Sequence, residues 1–277
     1  MMLHRHFQSA TQEPEPKQKP VMRPKKRRRR MDAGKKAAVF ISTRNWYANV
    51  IVSVKSLLCN SDVDSVILVT EDDAFPDKLP KEIETINGSK FDFFDRNSPN
   101  MSSHFSGLCV SRAAYGYILN DLDRVLSLDS DLVVVDDISD LWEMDLEGNY
   151  CAGVRDLGIS RPGYINAGVV LMDLNSLRDD GVTDRMIDLL NRHHRQWIDQ
   201  DALNECCDGR ITLLPVRYNE SPVTGRTDDP AIVHYVGVNK TGGQNGPYRH
   251  YWDEYEKMSW DDVSKLRAER YGRPLTF

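Results

Sequence analysis

The strongest constraint on this chain is a series of short, almost continuously apolar runs. They occupy residues 37–42, 65–70, 124–128, 167–172, 211–216 and 231–236. A run apolar at nearly every position has no face to give to water and reads as a strand buried on both sides. Each is far shorter than the roughly 18–20 apolar residues that cross a bilayer. Between these runs the apolar spacing turns helical. Residues 47–58 carry Val50, Ile51, Val54, Leu57 and Leu58, and residues 183–197 carry Met186, Ile187, Leu189 and Leu190. Residues 76–86 and 111–122 also read as helices, 199–204 open another, and 91–94 and 150–154 read as further strands. Strands alternating with helices predict an α/β fold, with a mostly parallel central sheet and helices on both faces.

Charge divides the chain in two. The net charge of −6 conceals an N-terminal segment, residues 1–36, that holds 12 of the 36 basic residues and 3 of the 42 acidic ones. Its charge of +9 leaves −15 on the remainder. The segment is rich in Pro, Gln and Lys, includes Lys25-Lys26-Arg27-Arg28-Arg29-Arg30, and has too few apolar residues to build a core. It is expected to be disordered. It is either a solvated tail, translated sequence ahead of a start at Met31, or a handle for an anionic membrane surface, nucleic acid or an import receptor. The acidic body argues against nucleic acid as its own partner. Without an apolar N-terminal segment of the signal-peptide kind, a cytoplasmic location is expected, peripheral to the inner membrane surface at most. Cys59, Cys109, Cys151, Cys206 and Cys207 show no Cys-x-x-Cys spacing, which predicts reduced thiols rather than a zinc ribbon or disulfide framework. The expected organisation is a basic tail over 1–36, a folded body over 37–257 and a helical or irregular end over 258–277.

The chemistry gathers at the ends of the apolar runs. Asp129-Ser130-Asp131 closes the run 124–128, and open α/β sheets bind ligands at the carboxyl ends of their strands. In extended chain, residues i and i+2 point the same way, so both carboxylates can face one hard cation shared with diphosphate oxygens. The plainer alternative is a solvated acidic turn. The apolar residues on either side favour the first reading, because charge among them needs a partner. His234 stands near the end of another run, with Gly237 and Lys240 after it. It reads either as a structural histidine or as a third ligand, since neutral imidazole suits Mn2+ beside two carboxylates. Gly237 would let backbone approach phosphate, and Lys240 offers positive charge. Asn166-Ala167-Gly168 reads as an ordinary turn or as a place for close ligand approach, with Asn166 supplying donor and acceptor. Asp199-Gln200-Asp201 sits at a helix start, where Asp199 is an N-cap or a site residue. Asp156 lies just past the strand 150–154.

These segments follow the order and spacing of a known family. Over about residues 37–256 the chain resembles glycosyltransferase family 8, the group containing glycogenin and bacterial lipopolysaccharide glucosyl- and galactosyltransferases. The resemblance is carried by residues 48–58, Ser111-Arg112-Ala113-Ala114-Tyr115, Leu126-Ser127-Leu128-Asp129-Ser130-Asp131-Leu132-Val133, Asp140-Leu141-Trp142, Ile165-Asn166-Ala167-Gly168-Val169-Val170-Leu171-Met172-Asp173, Asp199-Gln200-Asp201-Ala202-Leu203-Asn204 and His234-Tyr235-Val236-Gly237-Val238-Asn239-Lys240. It implies a GT-A fold, a nucleotide-sugar donor (UDP-glucose or UDP-galactose) and Mn2+, with Mg2+ as the alternative ion. It also implies transfer with retention of configuration to a hydroxyl of a glycan, a lipid-linked or a protein acceptor. Carried over position by position, it makes Asp129, Asp131 and His234 the metal ligands and gives the diphosphate to Gly237 and Lys240. Asn166, Ala167, Asp156, Asp199 and Gln200 would surround the donor sugar, the last three at the reacting face. Ser42, Thr43, Tyr47, Arg112 and Ser130 complete the implied donor contacts. An amide such as Gln200 is a poor nucleophile, which favours front-face attack within an ion pair.

Three departures from the family pattern bear on this reading. Arg44 stands where the family has an acid ahead of Tyr47. Tyr117 stands where it has an arginine, leaving Arg112 to take that contact. Lys240 is followed by Thr241-Gly242-Gly243-Gln244-Asn245-Gly246 instead of Pro-Trp, a glycine-rich loop suited to act as a lid. Two rival readings stand beside the transferase. One is a catalytically inactive transferase-like body with a binding role in its basic tail. The other is a haloacid-dehalogenase-type phosphatase, which also carries Asp-x-Asp after an apolar strand but on the first strand of its domain.

Overall fold

The computed structural model describes residues 34–75, 78–101, 107–222, 227–237 and 248–277. All but the last few residues of the basic tail, together with Lys240 and the glycine-rich loop after it, lie outside the described residues. In chain order the elements are β1 (Ala37–Ser42), α1 (Tyr47–Asn60), β2 (Ser65–Thr70), β3 (Ile83–Asn87), α2 (Tyr115–Ile118), β4 (Arg124–Leu128), β5 (Leu132–Val134) and α3 (Ser139–Glu143). They continue with β6 (Cys151–Arg155), β7 (Ile165–Asp173), α4 (Leu174–Asp179), α5 (Val182–Arg192), α6 (Ile198–Cys206), β8 (Ile211–Leu214), β9 (Ile232–His234), α7 (Arg249–Lys257) and α8 (Trp260–Tyr271).

The main sheet runs in the order β3-β2-β1-β4-β7-β6-β8, and β5 pairs with β9 in a separate ribbon. β1, β2, β3 and β4 are parallel neighbours, and β6 is parallel to β8. β7 alone runs antiparallel to both of its neighbours. Residues alternate between two apolar layers along each buried strand. Ala38 and Phe40 of β1 face a layer shared with α1, α7 and α8, while Ala37 and Val39 face one shared with α4, α5 and α6. The mostly parallel sheet covered on both faces is thus present, and no helix among the described residues is long and apolar enough to cross a membrane.

Strand order explains where ligands can sit. The chain winds outward from β1 through β2 to β3, then returns to add β4 on the other side of β1. This reversal opens a crevice at the carboxyl ends of β1 and β4. The antiparallel β7 turns its amino end to the same edge, since Leu128 pairs with Val169 and the Asp129 amide donates to the Gly168 carbonyl at 2.9 Å. Arg155 at the end of β6 pairs with Ile165, which brings Asp156 there as well.

Helix α1 holds the loop after β4 in place. It is buried almost all round, yet Ser53, Ser56 and Asn60 place polar groups at helical spacing on one side. Ser53 Oγ donates to the Ser130 carbonyl at 3.1 Å, Val134 N–H donates to Ser56 Oγ at 2.9 Å, and Asn60 Nδ2 donates to the Val134 carbonyl at 2.9 Å. The carbonyls at the C-terminal end of α1 have no helical partners of their own. Helix α8 supplies them. Arg267, 1% exposed, donates to the carbonyls of Leu58, Ser61 and Val63, and Arg270 donates to Cys59 O and to the Asn60 side chain. Two cations at a helix C-terminus also match the sign of its dipole.

Three segments differ from their expected form. Residues 83–87, within an expected helix, form the edge strand β3, because pairing with β2 overrides the helix-favouring charged residues around Ile83. Residues 91–94 form no strand. Instead the Phe91 and Phe93 rings stack at 5.7 Å, and Phe93 stacks on Tyr117 at 5.8 Å. The expected helix over 111–122 divides into a 3-10 segment, Gly107–Ala114, and the single turn α2. At Gly116 in that turn the backbone passes so close to Thr183 that a Cβ would stand 2.3 Å from its hydroxyl.

Replacing Arg267 by Met strips three carbonyls of their donor while keeping most of the side-chain volume. The expected loss is about 2–3 kcal/mol of unfolding free energy, read by urea denaturation. An unchanged midpoint would show that the α8 cap contributes nothing.

Candidate active site

Ligand atoms of Asp129, Asp131 and His234 lie within 4.8 Å of one another. Asp129 follows β4 and Asp131 precedes β5, while His234 ends β9. The β5–β9 pairing sets Leu132 opposite His234, and the Tyr235 amide donates to the Asp131 carbonyl at 2.8 Å. His234 Nε2 stands 3.1 Å from Asp131 Oδ1 and 3.5 Å from Asp129 Oδ2. Asp131 is 5% exposed and His234 2%. Two carboxylates and an imidazole make a donor set suited to Mn2+ or Mg2+, with Mn2+ better matched to the nitrogen. A glycine makes room for the ring. A Cβ on Gly168 would stand 2.0 Å from His234 Cε1 and 2.4 Å from Nδ1.

Arg112 carries the opposite charge. Nearly buried, it pairs with Asp129 and, at 2.8 Å, with Asp199 Oδ2. One guanidinium therefore stands against three carboxylates, an excess of negative charge that favours a cation. Burial pushes the Asp199 carboxyl up to about 6, with Arg112 opposing the shift and Asp129 adding to it. The same two carboxylates outweigh burial at Arg112 and raise its pKa above the ordinary arginine value. Tyr117, within α2 at the position where the family pattern has an arginine, donates instead to Asp184 at 2.6 Å. Arg112, from the 3-10 segment, supplies the cation at this site.

A second group joins β7 to α6. Gln200 Oε1 accepts from the Ala167 amide at 2.8 Å and from Asn166 Nδ2 at 3.3 Å. Gln200 Nε2 donates to Asp156 Oδ2 at 3.2 Å. Asp156 Oδ1 is held in turn by the Gly158 amide at 2.9 Å. Asn204 anchors α6 by accepting from Ile165 N–H at 2.8 Å and donating to the Ile165 carbonyl at 2.9 Å. Ile198, the first residue of α6, is buried with φ of 36°. A β-branched residue in that region is strained, and the cost falls immediately before Asp199 and Gln200.

The remaining expected residues divide by place. Ser42 and Thr43 lie at the end of β1, on the same sheet edge. The ring of Tyr47 is buried and packs 4.5 Å from that of Phe75, while its hydroxyl donates to Asp72 Oδ1 at 3.3 Å. Arg44 pairs with Asp72, and its amide donates to Glu71 at 3.0 Å. The loop after β2 thus supplies acids beside the position where Arg44 replaces one. The Ser130 carbonyl is the group bonded to Ser53. Gly237 follows β9 in the left-handed region, φ 74°, where a side chain would be strained.

The sequence reading overlooked Asn219, which links the two groups: its Oδ1 faces His234 Nδ1 at 2.9 Å and its Nδ2 donates to Asn166 Oδ1 at 2.9 Å. No local pattern marks it. Ser53, Ser56 and Asn60 were also overlooked, although their spacing within an apolar helix was a visible signal.

The fold and the acidic cluster at its carboxyl edge define a GT-A-type architecture. The family model described as glycosyl transferase family 8 matches residues 38–241, and the chain belongs to that family. Among curated relatives, glycosyltransferase GlyE of Streptococcus pneumoniae is 26% identical over 268 residues, covering 83% of this chain and 63% of GlyE. Lipopolysaccharide 1,2-glucosyltransferase of Escherichia coli is 26% identical over 267 residues, covering 81% and 79%. The GlyE crystal structure superposes with a TM-score of 0.66 at 25% identity, over 86% of this chain and 63% of that one. Galactosyltransferase LgtC, solved with donor and acceptor sugar analogs, shares the fold with a TM-score of 0.61 at 22% identity, over 79% of this chain and 95% of LgtC. This chain therefore spans just under two thirds of GlyE's length. Family membership sets the phosphatase reading aside.

Gly168→Ala must push the His234 ring away from the carboxylates. The expected result is at least a ~10-fold loss of Mn2+ affinity in a protein that still unfolds cooperatively, read by electron paramagnetic resonance of free Mn2+. Unchanged affinity would remove His234 from the metal site.

Proposed function

We propose that this chain transfers a hexose from UDP-glucose or UDP-galactose, with retention of configuration, to a hydroxyl of a glycan, a lipid-linked saccharide or a protein. The observation that carries this reading is the continuous path of contacts from Asp131 through His234, Asn219 and Asn166 to Gln200. It joins the three residues assigned to the cation to the residues assigned to the donor sugar. Asp129, Asp131 and His234 would hold Mn2+, or Mg2+ in its place. When bound, the ion supplies positive charge to the leaving diphosphate.

The protein's own groups do the rest. Gly237 and Lys240 are assigned to the diphosphate, Lys240 from the sequence alone. Ser42, Thr43, Tyr47 and Ser130 are assigned to the nucleoside side. Asn166, Ala167 and Asp156 position the hexose, and Arg112 holds Asp199 toward the reacting centre. Gln200 Oε1 already accepts from the Ala167 amide, which suits an orienting and charge-stabilising role better than attack on carbon. The C1–oxygen bond breaks with its electron pair passing to the diphosphate. Asp199 and Gln200 stabilise the positive charge left on the sugar, as carboxylates do in glycoside hydrolysis. The acceptor hydroxyl attacks C1 from the face the diphosphate leaves, and its proton passes to the departing oxygen. We place this activity in the cytoplasm, with the run from Lys25 to Arg30 able to hold the chain at an anionic membrane surface.

Nucleotide release from a panel of UDP-, GDP- and ADP-sugars, with Mn2+ and with chelator, tests the reading without a known acceptor. Release from one UDP-hexose that chelator abolishes is expected, with Asp129→Asn and Asp131→Asn each slowing it at least about 100-fold. Donor binding with no release, even when candidate acceptors are supplied, would favour the inactive body.

Asp199 sets a second expectation. Its carboxyl must be ionised to stabilise positive charge, and burial places its titration at about 6. Activity should therefore fall as pH drops through about 6. Asp199→Asn should lower the plateau and flatten that acidic limb. A limb that survives the substitution unchanged assigns it to another group.

A further inference from the structure

The ring of His234 meets different partners at its two nitrogens: Nε2 faces Asp131 and Asp129, and Nδ1 faces Asn219. Which nitrogen carries the proton decides whether Nε2 offers a lone pair to a cation. Amide oxygens and nitrogens can exchange by a flip, but backbone N–H groups cannot, and two of them settle the matter.

The Gly168 amide donates to one end of the Asn166 side chain at 2.9 Å, so that end is oxygen. Independently, the Ala167 amide donates to Gln200 at 2.8 Å, which makes that end of Gln200 oxygen. The other end of Asn166 faces this oxygen at 3.3 Å and must be nitrogen. Two successive amides of β7 therefore give the same orientation for Asn166. Its oxygen also faces Asn219 at 2.9 Å, so Asn219 presents its nitrogen there. The Asn219 oxygen is left facing His234 Nδ1 at 2.9 Å, and Nδ1 must carry a proton.

We propose that Asn219 is a positioning residue that, oriented through Asn166 by the β7 backbone, keeps a proton on Nδ1 of His234 and so turns Nε2, the nitrogen left for a cation, between the carboxylates of Asp129 and Asp131. The proposal rests on the reading of His234 as a metal ligand. Metal-ligating histidines owe their orientation and basicity to such a partner on the second nitrogen. Without Asn219, the nearest alternative is a proton on Nε2 donated to Asp131 Oδ1 at 3.1 Å, which closes the ligand position. The Asn166 amide that fixes Asn219 also contacts Gln200 and, at 3.4 Å, Asp156. The donor-sugar residues and the metal ligand thus share one chain of oriented amides.

Because the two carboxylates beside Nε2 favour the charged ring, two-bond 15N–1H correlation spectra of the metal-free full-length protein are recorded at rising pH until the His234 ring is neutral, and then read the tautomer directly. His234 is assigned by comparison with His234→Gln. The wild type should show the Nδ1–H form. Asn219→Leu should show the Nε2–H form and bind Mn2+ about 10–100-fold more weakly by electron paramagnetic resonance. Asn219→Asp keeps an acceptor for Nδ1–H and should keep the Nδ1–H form. A wild-type Nε2–H ring, an Asn219→Leu ring still in the Nδ1–H form, or an Asn219→Asp ring in the Nε2–H form would overturn the proposal. If the wild type shows the expected tautomer but binds no Mn2+, the metal reading fails on its own, because the spectra judge Asn219 without metal.

Discussion

The site depends on one reversal of direction in the sheet. β7 enters antiparallel between β4 and β6, and the Asp129 amide extends its ladder to the Gly168 carbonyl. Had β7 run parallel, its amino end would lie at the opposite edge, about 30 Å away for a nine-residue strand. Because it is reversed, Asn166, Ala167 and Gly168 arrive beside the carboxylates that follow β4. The absence of a side chain at Gly168 then lets His234 close over them. Everything the site can do follows from this meeting of one strand's end with another's beginning.

Charge arrangement imposes the second condition. Three carboxylates crowded at a largely buried edge would repel one another if Arg112 were not among them. Arg112 offsets part of that charge and leaves an excess of the sign that a divalent cation and a developing sugar cation require. The same crowding explains the raised Asp199 titration, since burial disfavours its charged form more than one guanidinium restores it. The structural support is remote from the chemistry. α8 caps α1, and α1 holds the backbone of Ser130 and Val134, so α8 steadies the loop that carries Asp129 and Asp131 through two layers of hydrogen bonds.

Much of this was legible from residue order. Asp129, Asp131 and His234 stand where their apolar runs end, and the structure brings them together. Asn166–Gly168 was legible as the start of an apolar run and Asp199–Gln200 as a helix start, both at the spacing of the family pattern. The edge strand β3 was not, because a strand half open to water uses residues that helices also use. Arg112 was already legible as the substitute for the missing arginine at Tyr117, but its pairing with both Asp129 and Asp199 was not, because it depends on a 3-10 segment rather than a continuous helix preceding β4.

The sequence by itself determined the alternation of strands and helices, the edge at which the acidic and histidine residues lie, and the family. Those properties are local: each follows from the period of apolar residues or from a short motif. The tertiary structure decided which amide faces which nitrogen, which arginine answers the carboxylates, and why Gly168 must lack a side chain. Asn219 shows the reason. Its partners, Asn166 and His234, lie 53 and 15 residues away in sequence, and hydrogen-bond direction exists only once three separate segments have packed together.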